Sequence, residues 1–82
     1  MGRRDKLIAK LMTVPADFTW QELIALLKML GYQEVQGSGS RVKFDNGNKD
    51  QMINLHKPHP GNIVKRYAIR QLIEKLVQGE LI

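Results

Sequence analysis

An 82-residue chain has room for one domain, since two would leave each half too small to fold without disulfides or metals. Cysteine is absent, which excludes disulfide staples, thiolate metal sites and cysteine nucleophiles and fits a reducing compartment. Thirteen Lys and Arg against eight Asp and Glu leave a formal charge of +5, a balance that favours nucleic acid or an acidic protein as partner.

The excess charge is uneven: residues 38–82 hold eight bases and four acids, residues 1–37 five and four. The same numbers also suit a basic protein that is merely soluble. The longest apolar run, Leu23 to Leu27, is far too short to span a membrane. The polar N-terminus carries no signal-peptide core. A cytoplasmic protein without membrane contact is therefore expected.

Arg4 to Met12 predicts a first helix with Leu7, Ile8 and Leu11 on its inner side. Arg3, Arg4, Lys6 and Lys10 are expected on a solvated face. Thr13 to Asp17, with Pro15, forms the connector. The clearest helix runs from about Trp20 to Leu30, where Trp20, Leu23, Ile24, Leu27 and Leu30 recur at helical spacing. Thr19 and Glu22 make a capping box, and Phe18 and Leu23 occupy the two positions of a hydrophobic staple. Gly31 suits the left-handed residue that closes the helix.

After Gly31 the period changes to two. Tyr32 to Gln36 reads as a short strand, and Gly37-Ser38-Gly39-Ser40 as a tight turn. In Arg41 to Asp45 and Met52 to His56, Val42 and Phe44, then Ile53 and Leu55, alternate with polar residues, as in half-buried strands. Asn46-Gly47 between them has the chemistry of a hairpin turn, although the loop to Asp50 is longer than two residues. A last helix is expected from Ile63 to Gln78, with Asn62 as a possible cap, a buried side of Val64, Ala68, Ile69, Leu72, Ile73 and Leu76, and Gly79 at its end.

The fold class is thus α+β: a three-stranded antiparallel sheet packed on helices, in the order α-α-β-β-β-α. Such a sheet hides one face and leaves the other in water. If Val42, Phe44, Ile53 and Leu55 face the helices, then Arg41, Lys43, Asn54 and His56 face outward together. A slip of one residue would reverse the set.

His56 and His59 are the groups whose ordinary pKa suits proton transfer near neutrality. No cysteine or nearby carboxylate completes a tetrahedral set with them, so neither a metal site nor a cofactor is expected. Lys65 and Arg66 sit in the first turn of the last helix, where cations oppose the macrodipole. A phosphate placed there would be attracted by both cations and by the free amides; the alternative is that both side chains bend away into water. Gly37 to Arg41 is not a P-loop, because it lacks the Lys-Ser/Thr ending and leads into a strand. Beside Arg41 and Lys43, however, its exposed amides suit a phosphodiester backbone. No Ser-His-Asp or paired-carboxylate arrangement supports a hydrolase of those types.

These residues fall in a familiar sequence of short motifs. A helix ending Leu30-Gly31-Tyr32, then Gly39-Ser40 with Phe44 four residues after the serine, then Pro58-His59-Pro60 before a final helix, resembles the HicA toxin family over about residues 20–81. The resemblance implies a fold similar to double-stranded-RNA-binding domains. It divides the single domain 1–82 into an N-terminal helix and connector, 1–18, and a HicA-like core, 19–82. It also implies a ribosome-independent mRNA interferase of a type II toxin–antitoxin pair, neutralised by a HicB antitoxin. The family usually reads Gly-Ser-His-His-x-Phe, and its first histidine is held responsible for RNA cleavage. Here Gly39-Ser40 is followed by Arg41 and Val42. Arginine does not deprotonate in the working pH range and is a poor general base.

Three readings follow. The chain is an endoribonuclease whose proton chemistry has moved to His56 or His59, with Ser40, Arg41, Lys43, Lys65 and Arg66 on the RNA. Alternatively it is an RNA-binding module without the chemistry, or a basic domain that only holds an acidic antitoxin.

Overall fold

The computed structural model describes residues 2–82, and the elements run α1 (Arg3–Met12), α2 (Trp20–Met29), β1 (Gln33–Gln36), β2 (Arg41–Asp45), a single 3₁₀ turn (Lys49–Gln51), β3 (Ile53–His56) and α3 (Arg66–Gln78). The sheet is antiparallel in the order β1-β2-β3. This is the α+β architecture the sequence predicts, and its element order accords with the expected likeness to double-stranded-RNA-binding domains.

Both ends of α2 are built as the sequence indicates. The Glu22 amide donates to the Thr19 hydroxyl at 3.1 Å, and the Thr19 amide donates to Glu22 Oε1 at 3.0 Å, satisfying two amides that a helix start leaves open. Phe18 and Leu23 are both fully buried, completing the staple. At the other end Gly31 takes a φ of +95°, and the Gly31 and Tyr32 amides donate to the carbonyls of Lys28 and Leu27. That pair of bonds is a Schellman closure.

The buried arc of α2 differs in one respect from the sequence expectation. Leu26 is fully buried with Trp20, Leu23 and Leu27, whereas Ile24 and Leu30 are only half-buried. The helix is covered by α1 on one side and the sheet on the other, so the arc turns toward Leu26. Lys10 also departs from its predicted solvated face. It is half-buried, bonds both oxygens of Glu22 at 3.0 and 3.1 Å and lies 5.8 Å from the Phe18 ring centroid. The α1 residues Leu7 and Leu11 join Trp20, Phe44, Ile69 and Leu72 in one apolar core. Within it Trp20 meets Phe44 edge-on, with centroids 5.9 Å apart, a favoured aromatic geometry.

The last helix starts later than expected, at Arg66, and its N-cap is Lys65. Asn62 does not cap it. Its carbonyl accepts from the Trp20 amide at 2.7 Å, and its side chain donates to Gln21 at 2.9 Å. Val64 in turn donates to the Phe18 carbonyl at 2.8 Å, and Thr19 bridges Ile63. Residues 62–64 are therefore held extended against the start of α2, and helical geometry begins only after them. At the near end of the same connector Lys57 donates to the Ser40 carbonyl at 2.8 Å. Segment 57–65 is thus tied at both ends.

The β2–β3 loop is not a two-residue Asn-Gly turn. Asp45, Asn46 and Asn48 each accept, through the side chain, from the amide two residues on, a chain of local bonds typical of these residues. The 3₁₀ turn follows directly.

Candidate functional site

Register settles which side chains share the open face of the sheet. Val42 pairs with Leu55 and Phe44 with Ile53, all buried, while Arg41 pairs with His56 and Lys43 with Asn54, all exposed. Val35 extends the outer row beside Lys43 and is 46% exposed. Directly opposed residues bring their Cβ atoms to within roughly 4.5–5.5 Å, so Arg41 and His56 form one surface.

Two hollows flank this pair. The first, of about 440 Å³, is lined among others by Gly37, Ser38, Arg41, Lys43, Asn54 and His56. The second, of about 420 Å³, lies at the entrance to α3 and takes Ser40, His56, Lys57, His59, Lys65 and Tyr67 into its wall. His56 belongs to both. Its Nδ1 is 3.4 Å from the Ser40 Oγ, which places the imidazole beside the Gly39-Ser40 turn. His59, held between Pro58 and Pro60, shares the second hollow with it.

The turn that carries Ser40 is shaped by glycine. Gly39 has a φ of +63°. Gly37 donates to the Arg41 carbonyl at 2.9 Å, and a side chain there would bring its Cβ within 3.0 Å of that oxygen. The close fold-back of the backbone on Arg41 therefore favours a residue without a Cβ at position 37.

Electrostatically both hollows are one-sided. Arg41, Lys43, Lys57 and Lys65 line them, and no carboxylate does. Among the described residues the ion pairs are those of Lys10 with Glu22 and Asp17. The first turn of α3 holds no acid, and Lys65 supplies no side-chain cap, so the amides there lack a side-chain acceptor.

Of the residues singled out in the sequence, the structure brings Ser40, His56, His59 and Lys65 to one hollow and Arg41, Lys43 and His56 to the other. Arg66, the first residue of α3, is exposed and lines neither. The sequence reading passed over Lys57 and Tyr67. Tyr67 was detectable, because it lies off the Ile69-Leu72-Leu76 stripe and must project away from the core.

These features define a small α+β protein whose helices cover one sheet face while a cationic, histidine-bearing surface stays open on the other. The model of the HicA toxin of bacterial toxin–antitoxin systems matches residues 20–77, from the first residue of α2 to the last turn of α3. The chain belongs to the HicA toxin family. Neither a curated protein nor a solved structure matches it. Membership of a toxin–antitoxin family implies an antitoxin as partner. Among the described residues no helix is long and apolar enough to cross a membrane.

Proposed function

We propose that this chain is a metal-independent mRNA endoribonuclease of the cytoplasm, neutralised by a HicB-like antitoxin, in which His56 takes over the role of the histidine that Arg41 replaces. The observation that carries the reading is the position of His56: register partner of Arg41, with Nδ1 beside the Ser40 hydroxyl. An imidazole thus stands across the ladder from the position where the family motif places one.

The reaction that suits these groups is attack of an RNA 2′-hydroxyl on the adjacent phosphate. When His56 Nδ1–H donates to Ser40 Oγ, Nε2 carries the lone pair that removes the 2′-hydroxyl proton. The 2′-oxygen bonds to phosphorus, the bond from phosphorus to the 5′-oxygen breaks, and His59 in its protonated form returns a proton to that leaving oxygen. The products are a 2′,3′-cyclic phosphate and a free 5′-hydroxyl. Arg41, Lys43 and Lys65 hold the phosphates and stabilise the charge that builds on them. Arg66, outside both hollows, meets the strand as it passes the start of α3.

Cleavage of a labelled mRNA fragment in the presence of a chelator tests this. His56→Ala or His59→Ala should lower the rate roughly 10²–10⁴-fold, the usual worth of general acid–base catalysis, with RNA affinity nearly unchanged. Unaltered cleavage in both variants refutes the assignment. Arg41 itself favours a second reading, an RNA-binding module without chemistry, since guanidinium cannot serve as base. Salt-sensitive RNA binding by a wild-type protein that never cleaves would select it. Tight binding of an acidic antitoxin with no RNA affinity would select a protein-binding role.

A further inference from the structure

We infer that Tyr67 is a stacking platform for one unpaired nucleobase next to the phosphate held in the α3-entrance hollow, an inference that rests on the RNA reading above. Tyr67 is 58% exposed, the most exposed large apolar side chain among the described residues. It occupies the second position of α3, opposite the buried Ile69, Leu72 and Leu76, and its hydroxyl has no hydrogen-bond partner within the chain among the described residues. The core therefore gives no reason for an aromatic residue here, where a polar one would fold as well.

Its surroundings do give one. The ring shares its hollow with Lys65, Lys57, His56 and His59, and Pro58, Pro60 and Ile63 are among the residues that make the rest of the wall apolar. Ile63 is itself 43% exposed, because the bridge to Thr19 keeps it extended. Cations for a phosphate and a free π-face for the attached base thus lie side by side. That pairing is how proteins hold single strands, since each base presents a face for stacking whatever its identity.

A base within a duplex already has both faces covered. The platform therefore selects unpaired RNA, even though the fold is of the kind that elsewhere reads duplex shape. The strand contributes its phosphate to Lys65 and the imidazoles and its neighbouring base to Tyr67.

The test is fluorescence anisotropy with a short labelled oligoribonucleotide of 2′-O-methyl sugars, which cannot be cleaved, used alone and annealed to its complement. Wild type, Tyr67→Ala, Tyr67→Leu and Tyr67→Phe are compared over a range of salt. The expected result is a loss of roughly tenfold or more for the single strand in the alanine and leucine variants. The phenylalanine variant should bind like wild type, the salt slope should not change, and the annealed probe should show no such loss. Wild-type affinity in Tyr67→Ala, or rescue by leucine as fully as by phenylalanine, overturns the platform while leaving the RNA reading intact. Failure of the wild type to bind the single strand removes that reading and the platform with it. Because the ring is exposed, an unchanged circular dichroism spectrum checks that each variant is folded.

Discussion

Arg41 and His56 are cross-strand partners on the uncovered face of the sheet. One is a permanent cation and the other a proton carrier, so the two positions together offer charge stabilisation and proton transfer within one pair. Neither is buried, so neither is fixed by core packing. What holds the pair is the backbone register, which is itself pinned by Val42, Phe44, Ile53 and Leu55 on the covered side.

If the imidazole has crossed from β2 to β3, it should be possible to move it back. Arg41→His in a His56→Ala background places a histidine immediately after Gly39-Ser40. Cleavage lost in His56→Ala should return, by roughly tenfold or more over the single variant. Rates measured on one RNA under one set of conditions decide it. An inactive double variant would argue that position 56 contributes something other than its imidazole.

The Gly37 turn sets where Arg41 begins. Gly37→Ala forces its Cβ against the Arg41 carbonyl, a backbone atom that cannot rotate away. The turn must open and its hydrogen bond lengthen, at a cost of about 0.5–1.5 kcal/mol. Since the displaced residue is Arg41, RNA affinity should fall as well as thermal stability. Arg41→Ala should lower affinity without the stability loss. Parallel thermal melts and RNA titrations separate the two effects.

The fold was most legible in the sequence where two independent signals coincide. In α2 these are periodicity and a capping box, and in the sheet they are alternation and turn residues. The start of α3 was not legible. Asn62 has a good capping side chain, but its carbonyl and the Val64 amide are claimed by residues 18–20, some forty positions away in the chain, and no local rule sees a partner that distant. The site divides in the same way. Arg41, Lys43 and His56 follow from alternation alone, whereas the meeting of His56 with His59 and Lys65 depends on the route of segment 57–65. Lys57 and Tyr67 were missed because neither belongs to a motif.

Contacts to phosphate should register in the salt dependence of binding. Each cation that neutralises a phosphate releases counterions, and on single strands the slope of log affinity against log salt falls by about 0.7 per contact. Arg41→Ala, Lys43→Ala and Lys65→Ala should each flatten the slope by about that amount and weaken binding of every RNA alike. Lys6→Ala, on α1, should leave the slope unchanged. A slope indifferent to all three substitutions would mean that the RNA lies elsewhere.

Acid should weaken the fold partly through Glu22. Burial pushes its carboxyl up, but hydrogen bonds from the Thr19 amide, the Lys10 ammonium and the Thr19 hydroxyl together outweigh that, and the net shift is downward from the ordinary value of 4.5. A carboxyl whose pKa is lower folded than unfolded binds fewer protons in the folded state, so it contributes stability above pH 4.5 and loses it as the pH falls through the folded pKa. Thermal melts of the wild type should therefore drop on that limb. Glu22→Gln should be less stable at neutral pH, because Lys10 then faces an uncharged amide, and its acid limb should be shallower. Thr19→Ala removes the other half of the cap and should cost about 1 kcal/mol at neutral pH. Lys10→Met keeps an unbranched apolar side chain but removes the ammonium, leaving the carboxylate with Thr19 alone, so its acid limb should fall between those of wild type and Glu22→Gln. Identical acid limbs in wild type, Glu22→Gln and Lys10→Met would show that the link between α1 and the start of α2 is not what protonation breaks.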